Sequence, residues 1–179
     1  RAGAKLVNPN LARTMAAIAA DGRDGFYRGD TARAMAAFAK ANDGFFTSDD
    51  FAQQRSRWGE PIATTYRGMT IFETPAPTQG FTVLEMLNLI EPFDVGRWPF
   101  LGADHVHHLV QAKQIAYHDR DTQLGDPSFS DVPIARLISR PYADMRRKLI
   151  NSSRALAWDE VPSYGTLKGD TVYVGVVDA

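Results

Sequence analysis

The sequence predicts a mainly α-helical chain with one small β-hairpin and a single terminal strand. Three observations carry that class. Apolar residues recur at three- and four-residue intervals through most of the chain, often behind a residue that caps helices. The period changes to alternation only around Pro61 to Thr74. A β-branched run at 172–177, Val-Tyr-Val-Gly-Val-Val, closes the sequence.

The elements follow in order. Asn8 is an N-cap and Pro9 suits the first helical position, with Leu11, Met15 and Ile18 on one face and Gly22 as the stop. After Gly25-Phe26-Tyr27 a second, alanine-rich helix is predicted from about Asp30 to Ala41, and Asn42-Asp43-Gly44 makes a turn. Thr47-Ser48-Asp49-Asp50 resembles a capping box, with Asp in place of Glu, and opens a short third helix. Ile62, Thr64 and Tyr66 alternate up to Arg67-Gly68, and Met69 to Thr74 runs back, which predicts a hairpin. Pro75-Ala76-Pro77-Thr78-Gln79-Gly80 is a stiff loop before a helix carrying Val83, Leu84, Leu87 and Ile90, which stops ahead of Pro92. Asp104 is expected to cap a longer helix with Val106, Leu109, Ala112, Ile115 and Ala116. Asp126-Pro127 closes a loop, and two short helices are expected near 133–139 and 141–150, the second with Pro141 in its first turn. Residues 151–170 read as irregular and 171–177 as a strand.

Composition narrows the function. At 179 residues the chain is long enough for a core, and 20 basic against 21 acidic residues give a net charge of −1. That balance makes no electrostatic case for nucleic acid or a membrane surface. No apolar run approaches the ~18 residues of a spanning helix. The absence of cysteine removes disulfides, thiolate metal sites and a cysteine nucleophile. The chain begins at Arg1 without a methionine or a signal-peptide core, which predicts a start inside a longer gene product and leaves the compartment open.

Several groups invite a chemical reading that the spacing does not support. His105 and His108 share a helix face, but no third ligand follows at useful spacing, so they read as helix surface and no metal or cofactor is expected. His118-Asp119-Arg120-Asp121 reads as an ion pair pinning the Asp126-Pro127 loop rather than an acid–base dyad. Gly22, Gly25 and Gly29 follow no strand, which argues against a phosphate loop. Trp98 and Phe100 are expected to plug a core. Arg146-Arg147-Lys148 suits the C-terminal dipole of its helix and is not a nucleic-acid patch.

The strongest chemical signal is Asp170-Thr171 in front of the β-branched run. A threonine hydroxyl is a poor nucleophile, but an N-terminal threonine carries its own general base, the α-amine. That amine has a pKa of about 7.7–8.0, so a useful share is neutral near pH 7 and can accept the hydroxyl proton. Taken alone, a threonine ahead of a valine-rich strand is ordinary β-propensity.

Other blocks stand around it in a telling order. Asn8-Pro9-Asn10-Leu11-Ala12-Arg13-Thr14, then Gly25-Phe26-Tyr27-Arg28-Gly29, resembles the "P-x-L-A-x-T-L … G-x-x-x-F-Y-x-G" block of the gamma-glutamyltransferase (gamma-glutamyltranspeptidase) family. Phe45-Phe46-Thr47 with Asp50-Phe51 is similar to that family's "T-x-x-D-L" segment, and residues 75–80 resemble its Pro-Pro-Ser-x-Gly loop. Ala116-Tyr117-His118-Asp119-Arg120 with Leu124-Gly125-Asp126-Pro127 resembles its "A-x-x-D-R … G-D-P" block. The blocks cover nearly the whole chain.

The resemblance implies an N-terminal nucleophile hydrolase with an αββα fold, made as a precursor that cuts itself between Asp170 and Thr171. Residues 1–170 would be the C-terminal helical part of the large subunit, and 171–179 the start of the small, catalytic subunit. Thr171 alone is carried over as the catalytic residue, attacking gamma-glutamyl (glutathione-like) amides through a threonyl ester. The arginine that grips the substrate carboxylate would lie before Arg1, and the oxyanion glycines after Ala179. The implied partners are therefore the remainder of the same precursor and a small amide substrate, and the segment alone is expected to be inactive. The best-known members read Thr-Thr-His where this chain reads Thr171-Val172-Tyr173. Relatives that hydrolyse other small amides, such as oxamate, carry hydrophobic residues there, so an amidohydrolase remains an alternative, as does a non-catalytic helical module covering the catalytic subunit. A periplasmic or secreted location would go with a true gamma-glutamyltransferase, and a cytoplasmic one with the amidohydrolase branch.

Overall fold

The computed structural model describes residues 3–162. The expected strand at 171–177, the Asp170–Thr171 junction and the boundary between the two expected subunits lie outside the described residues. The chain divides into two units, Arg1–Trp58 and Gly59–Ala179.

The first unit is helical. Helix α1 (Pro9–Asp21) starts where Asn8 Oδ1 accepts a hydrogen bond of 3.0 Å from the Leu11 amide, with Pro9 in the first turn. The sequence missed α2 (Arg23–Tyr27), a five-residue helix around Gly25. A Cβ on Gly25 would sit 2.2 Å from the Ala17 carbonyl oxygen, so only glycine lets α1 and α2 approach this closely. Helix α3 (Asp30–Ala41) and α4 (Ser48–Gln53) complete the unit. The capping box forms with Asp in the role of Glu: the Thr47 amide donates to Asp50 Oδ2 at 2.7 Å, and the Asp50 amide to Thr47 Oγ1 at 3.3 Å. Arg23 ties α2 to the end of α4 through the carbonyls of Ala52 (2.8 Å) and Gln54 (3.2 Å). Of the α1 face carrying Leu11, Met15 and Ile18, Ile18 is half-buried while Leu11 and Met15 are exposed at 54% and 56%.

The second unit is built around α5 (Gly80–Ile90). Strands β1 (Ile62–Tyr66) and β2 (Met69–Glu73) pair antiparallel, Tyr66 opposite Met69 and Ile62 opposite Glu73. Arg67 and Gly68, at φ 50° and 81°, form the two-residue turn whose twist suits a hairpin. Behind α5 lie α6 (Ala103–Gln123), α7 (Ile134–Leu137) and α8 (Arg140–Arg147). Gly102 rather than Asp104 precedes α6. Asp104 falls in the first turn, where its charge still suits the helix N-terminus. Ser139 caps α8 and Pro141 sits in its first turn.

Two apolar clusters flank α5. Phe81, Leu124, Leu137 and Tyr142 pack on the side that also takes Ile62, Ile134 and Ile138. Leu89, Ala112, Ile115, Leu156 and Val161 pack on the other, with Leu149 and Ile150. Of the helix face expected in α5, Leu84 and Ile90 are buried whereas Val83 is exposed. Phe100 is not a core plug: it is 84% exposed, while Trp98 stacks on the His108 ring at 4.5 Å.

Candidate functional site

Helix α6 buries a face that is partly polar. His108, Gln111, Ala112, Ile115, Ala116, Asp119 and Gln123 follow the three-and-four spacing and are all buried. Those polar side chains hold the chain that leaves α8 on its way to residue 170. Gln111 clamps Asn151, donating to its carbonyl at 2.9 Å and accepting from its amide at 3.0 Å. His108 Nε2 lies 3.1 Å from Ser152 Oγ, and its Nδ1 lies 2.8 Å from the Asp104 carbonyl. Gln114 donates to the Leu156 carbonyl at 2.9 Å. Leu156 and Val161 are the apolar pegs of the same segment. A short 3-10 turn, Trp158–Glu160, lies between them.

The track ends on a fully buried ionic centre. Arg146 donates from Nε and Nη2 to the two oxygens of Asp119, at 3.1 and 2.5 Å. Both side chains have no exposed surface. Tyr142 donates its hydroxyl to Asp119 at 2.8 Å. The remaining fork of Arg146, Nη1, donates to the Pro162 carbonyl at 2.9 Å. A buried charge pair is favourable only with such saturation of its hydrogen bonds, because the cost of taking both ions from water is several kcal/mol each.

Glu85 of α5 adds a second carboxyl. Both its oxygens are buried and face no donor nitrogen or hydroxyl among the described residues. Burial first, and then the Asp119 carboxylate, push Glu85 well above the usual glutamate range, with Arg146 pulling weakly the other way. The protonated form resolves the missing partner, since a neutral Glu85 has a hydrogen to give Asp119. Burial and the neighbouring Asp119 charge also push the Tyr142 hydroxyl up, so it remains a donor. Burial, and next the Arg146 charge, lower His118, which keeps that imidazole neutral near pH 7.

This centre corrects two readings of the sequence. Within 118–121 the ion pair is Arg120 with Asp121, at 2.6 Å, whereas Asp119 pairs with Arg146, 27 residues away. The Asp126 loop carries its own turn, with the Ser128 amide on Asp126 Oδ1 at 2.8 Å. Arg146 and Arg147 do lie in the last turn of α8, but Arg146 is also a core residue, and Arg147 donates to the carbonyls of Asn88 and Leu89. The signal that could have revealed the centre is Glu85, the one charged residue in Gly80–Ile90. Among the histidines, His105 accepts from the Leu101 amide, while His107 lies 2.7 Å from the Asn151 carbonyl. His108 is buried rather than on the helix surface. Among the described residues no group of three or more His, Asp or Glu could hold a metal ion. No described helix is long and apolar enough to cross a membrane.

The candidate nucleophile Thr171 and its neighbour Asp170 lie outside the described residues, nine and eight positions beyond Pro162 by sequence. The described chemistry is thus that of a holder. Asp119 is committed to Arg146 and Tyr142.

A family model described as gamma-glutamyltranspeptidase matches residues 1–179. An acylase ACY 1 proenzyme from Pseudomonas sp. (strain SE83) is 40% identical over 178 residues, 99% of this chain and 32% of that one. A glutathione hydrolase proenzyme from Pseudomonas sp. (strain A14) is 35% identical over 179 residues, 98% of this chain and 31% of its own length. Among solved structures, a gamma-glutamyltranspeptidase from Pseudomonas nitroreducens complexed with L-DON superposes with a TM-score of 0.76 at 31% identity, covering 90% of this chain and 49% of that one. The chain spans about a third of the length of the curated relatives it matches.

Proposed function

This chain belongs to the gamma-glutamyltranspeptidase family, and from that premise we propose that it is part of a self-cleaving precursor whose nucleophile is Thr171. The observation that carries the reading is Asp170-Thr171 ahead of a β-branched run, inside a chain that the family matches from end to end. Residues 1–170 form the C-terminal helical part of the large subunit, and 171–179 open the small subunit of an αββα fold.

Maturation starts when the Thr171 hydroxyl attacks the Asp170 carbonyl carbon. The peptide nitrogen leaves as the Thr171 amine, taking up the hydroxyl's proton, and an ester forms, which water opens to an Asp170 carboxyl and the Thr171 hydroxyl. The new amine then serves as base for the same hydroxyl. In turnover the hydroxyl attacks a substrate amide, the amine of the substrate departs with the proton, and the threonyl ester passes its acyl group to water or to a second amine. The exposed apolar residues of Arg1–Trp58, among them Phe38, Phe45 and Phe46, support a role as a covering layer for the rest of the precursor.

The acyl group is a gamma-glutamyl unit in the first reading. The hydrophobic pair Val172-Tyr173 and 40% identity to an acylase proenzyme support a second, an amide hydrolase acting on other acyl groups. The test is the full-length matured enzyme on gamma-glutamyl-p-nitroanilide beside acyl amides that lack the α-amino-acid head. A higher kcat/KM on gamma-glutamyl-p-nitroanilide, lost in Thr171→Ala, supports the first reading. Preference for the headless amides moves the assignment to the acylase branch, and turnover that survives Thr171→Ala removes both.

A further inference from the structure

We propose that Arg146 is a positioning residue for self-cleavage, because its third fork holds the Pro162 carbonyl and thereby sets where the chain starts toward the Asp170–Thr171 bond. The inference rests on the self-cleavage proposed above.

An Asp–Arg pair that served only the core would be complete with Nε and Nη2 on Asp119. Here Nη1 is also aimed at main chain, and at the last, among the described residues, of a series of main-chain carbonyls gripped by buried or half-buried side chains. Asn151 is held by Gln111, Leu156 by Gln114 and Pro162 by Arg146. These grips act on backbone, so they fix the path of residues 151–162 whatever side chains that segment carries. Leu156 and Val161, both buried, lock its register between them. The grip on Pro162 is itself braced. Arg146 is clamped by Asp119, which is in turn held by the Tyr142 hydroxyl, on two helices that both pack against α5.

From Pro162 eight residues lead to Asp170, a span of at most about 26–29 Å. An origin fixed to hydrogen-bond precision limits where the junction peptide can be presented to the groups that polarise its carbonyl. Positioning of that kind carries a large share of rate, and a displacement of about 1 Å can cost ~10²-fold. Lysine cannot substitute for the fork, since one ammonium cannot span both Asp119 oxygens and Pro162.

The experiment follows the full-length precursor, made by cell-free translation, into its subunits by intact mass, comparing wild type, Thr171→Ala, Arg146→Lys and the charge-neutral pair Arg146→Met/Asp119→Asn. Arg146→Lys is expected to mature at least about tenfold more slowly. Once matured it should keep wild-type kcat and KM, because the hold acts before the cut. The neutral pair removes the ionic requirement as well as the grip, and is expected to match the parental Tm in a Thr171→Ala background while maturing slowly. Wild-type maturation rates in both variants overturn the proposal. So does slow maturation accompanied by equal losses in kcat of the matured enzyme, which would mark a general structural defect. Wild type that is not cut between Asp170 and Thr171 defeats the function reading itself, an outcome separate from these.

Discussion

Glu85 shows how a residue conspicuous in the sequence takes its meaning only from the fold. It is the only charge in α5, it is fully buried, and it lies against a carboxylate that already has two donors. Such a group stays protonated in the fold. Below about pH 4.3 it is neutral in the unfolded chain as well. Above that the unfolded chain releases the proton while the native state keeps it, so stability falls with rising pH until the raised native pKa is passed. Glu85→Gln is nearly isosteric with the neutral acid and cannot ionise. Urea unfolding of wild type and variant from pH 5 upward should show the variant's stability falling less steeply; parallel curves would mean that Glu85 is ionised in the fold. The neighbouring Asp119 predicts a larger effect of the opposite kind. Asp119→Ala strands Arg146 in the interior and is expected to cost roughly 3–5 kcal/mol, the usual result of breaking a buried pair from one side. A loss under about 1 kcal/mol in the same urea titration would show that water reaches and solvates Arg146.

At the scale of elements, local rules and packing divide the work. The cap of α4 is a local device: Thr47→Ala should cost about 1 kcal/mol and lower hydrogen-exchange protection in Ser48–Gln53 only. Protection unchanged in that helix would mean that Asp50 alone suffices as the cap. Gly25 is a packing device. Gly25→Ala puts a Cβ 2.2 Å from a backbone oxygen and should cost about 1–3 kcal/mol, with α1 and α2 forced apart.

What was legible in the sequence follows the same division. Asn8, Thr47-Asp50, Arg67-Gly68 and Pro141 act through their own few residues, so the helix starts and the hairpin could be read directly. The helix Arg23–Tyr27 was not legible, since five residues show no period and its reason is the close contact at Gly25. On α6 the apolar part of the buried face, Ala112, Ile115 and Ala116, was legible, but the polar part was not. Its His108, Gln111 and Asp119 are inside because of partners on 142–152, and no pattern within the helix announces that. Of the candidate site, Asp170 and Thr171 could be named from the sequence, whereas the Arg146–Asp119 centre needed the fold.

At the scale of the whole molecule, the two units differ in how much they bury. Among the described residues, Gly59–Ala179 contains both large apolar clusters, while in Arg1–Trp58 the buried apolar residues are Ala32 and Ala39. Met35, Phe38, Phe46 and Phe51 line an open apolar groove there. An apolar surface of this kind is a contact surface or an aggregation hazard. Residues 1–179 expressed alone are therefore expected to self-associate, and Phe38→Glu with Phe46→Glu should raise the monomer fraction in sedimentation. An unchanged fraction would place the sticky surface elsewhere.

The central claim is that Thr171 both cuts the precursor and performs the reaction. Intact mass spectrometry of the full-length protein tests it most directly, with wild type, Thr171→Ser and Thr171→Ala prepared side by side. Wild type should resolve into two chains whose masses place the break between Asp170 and Thr171. Serine keeps the hydroxyl and the future amine but loses the methyl that restricts χ1, so it should cut more slowly at the same bond. Alanine has no hydroxyl and should remain one chain. An alanine variant that divides at this bond would contradict the account.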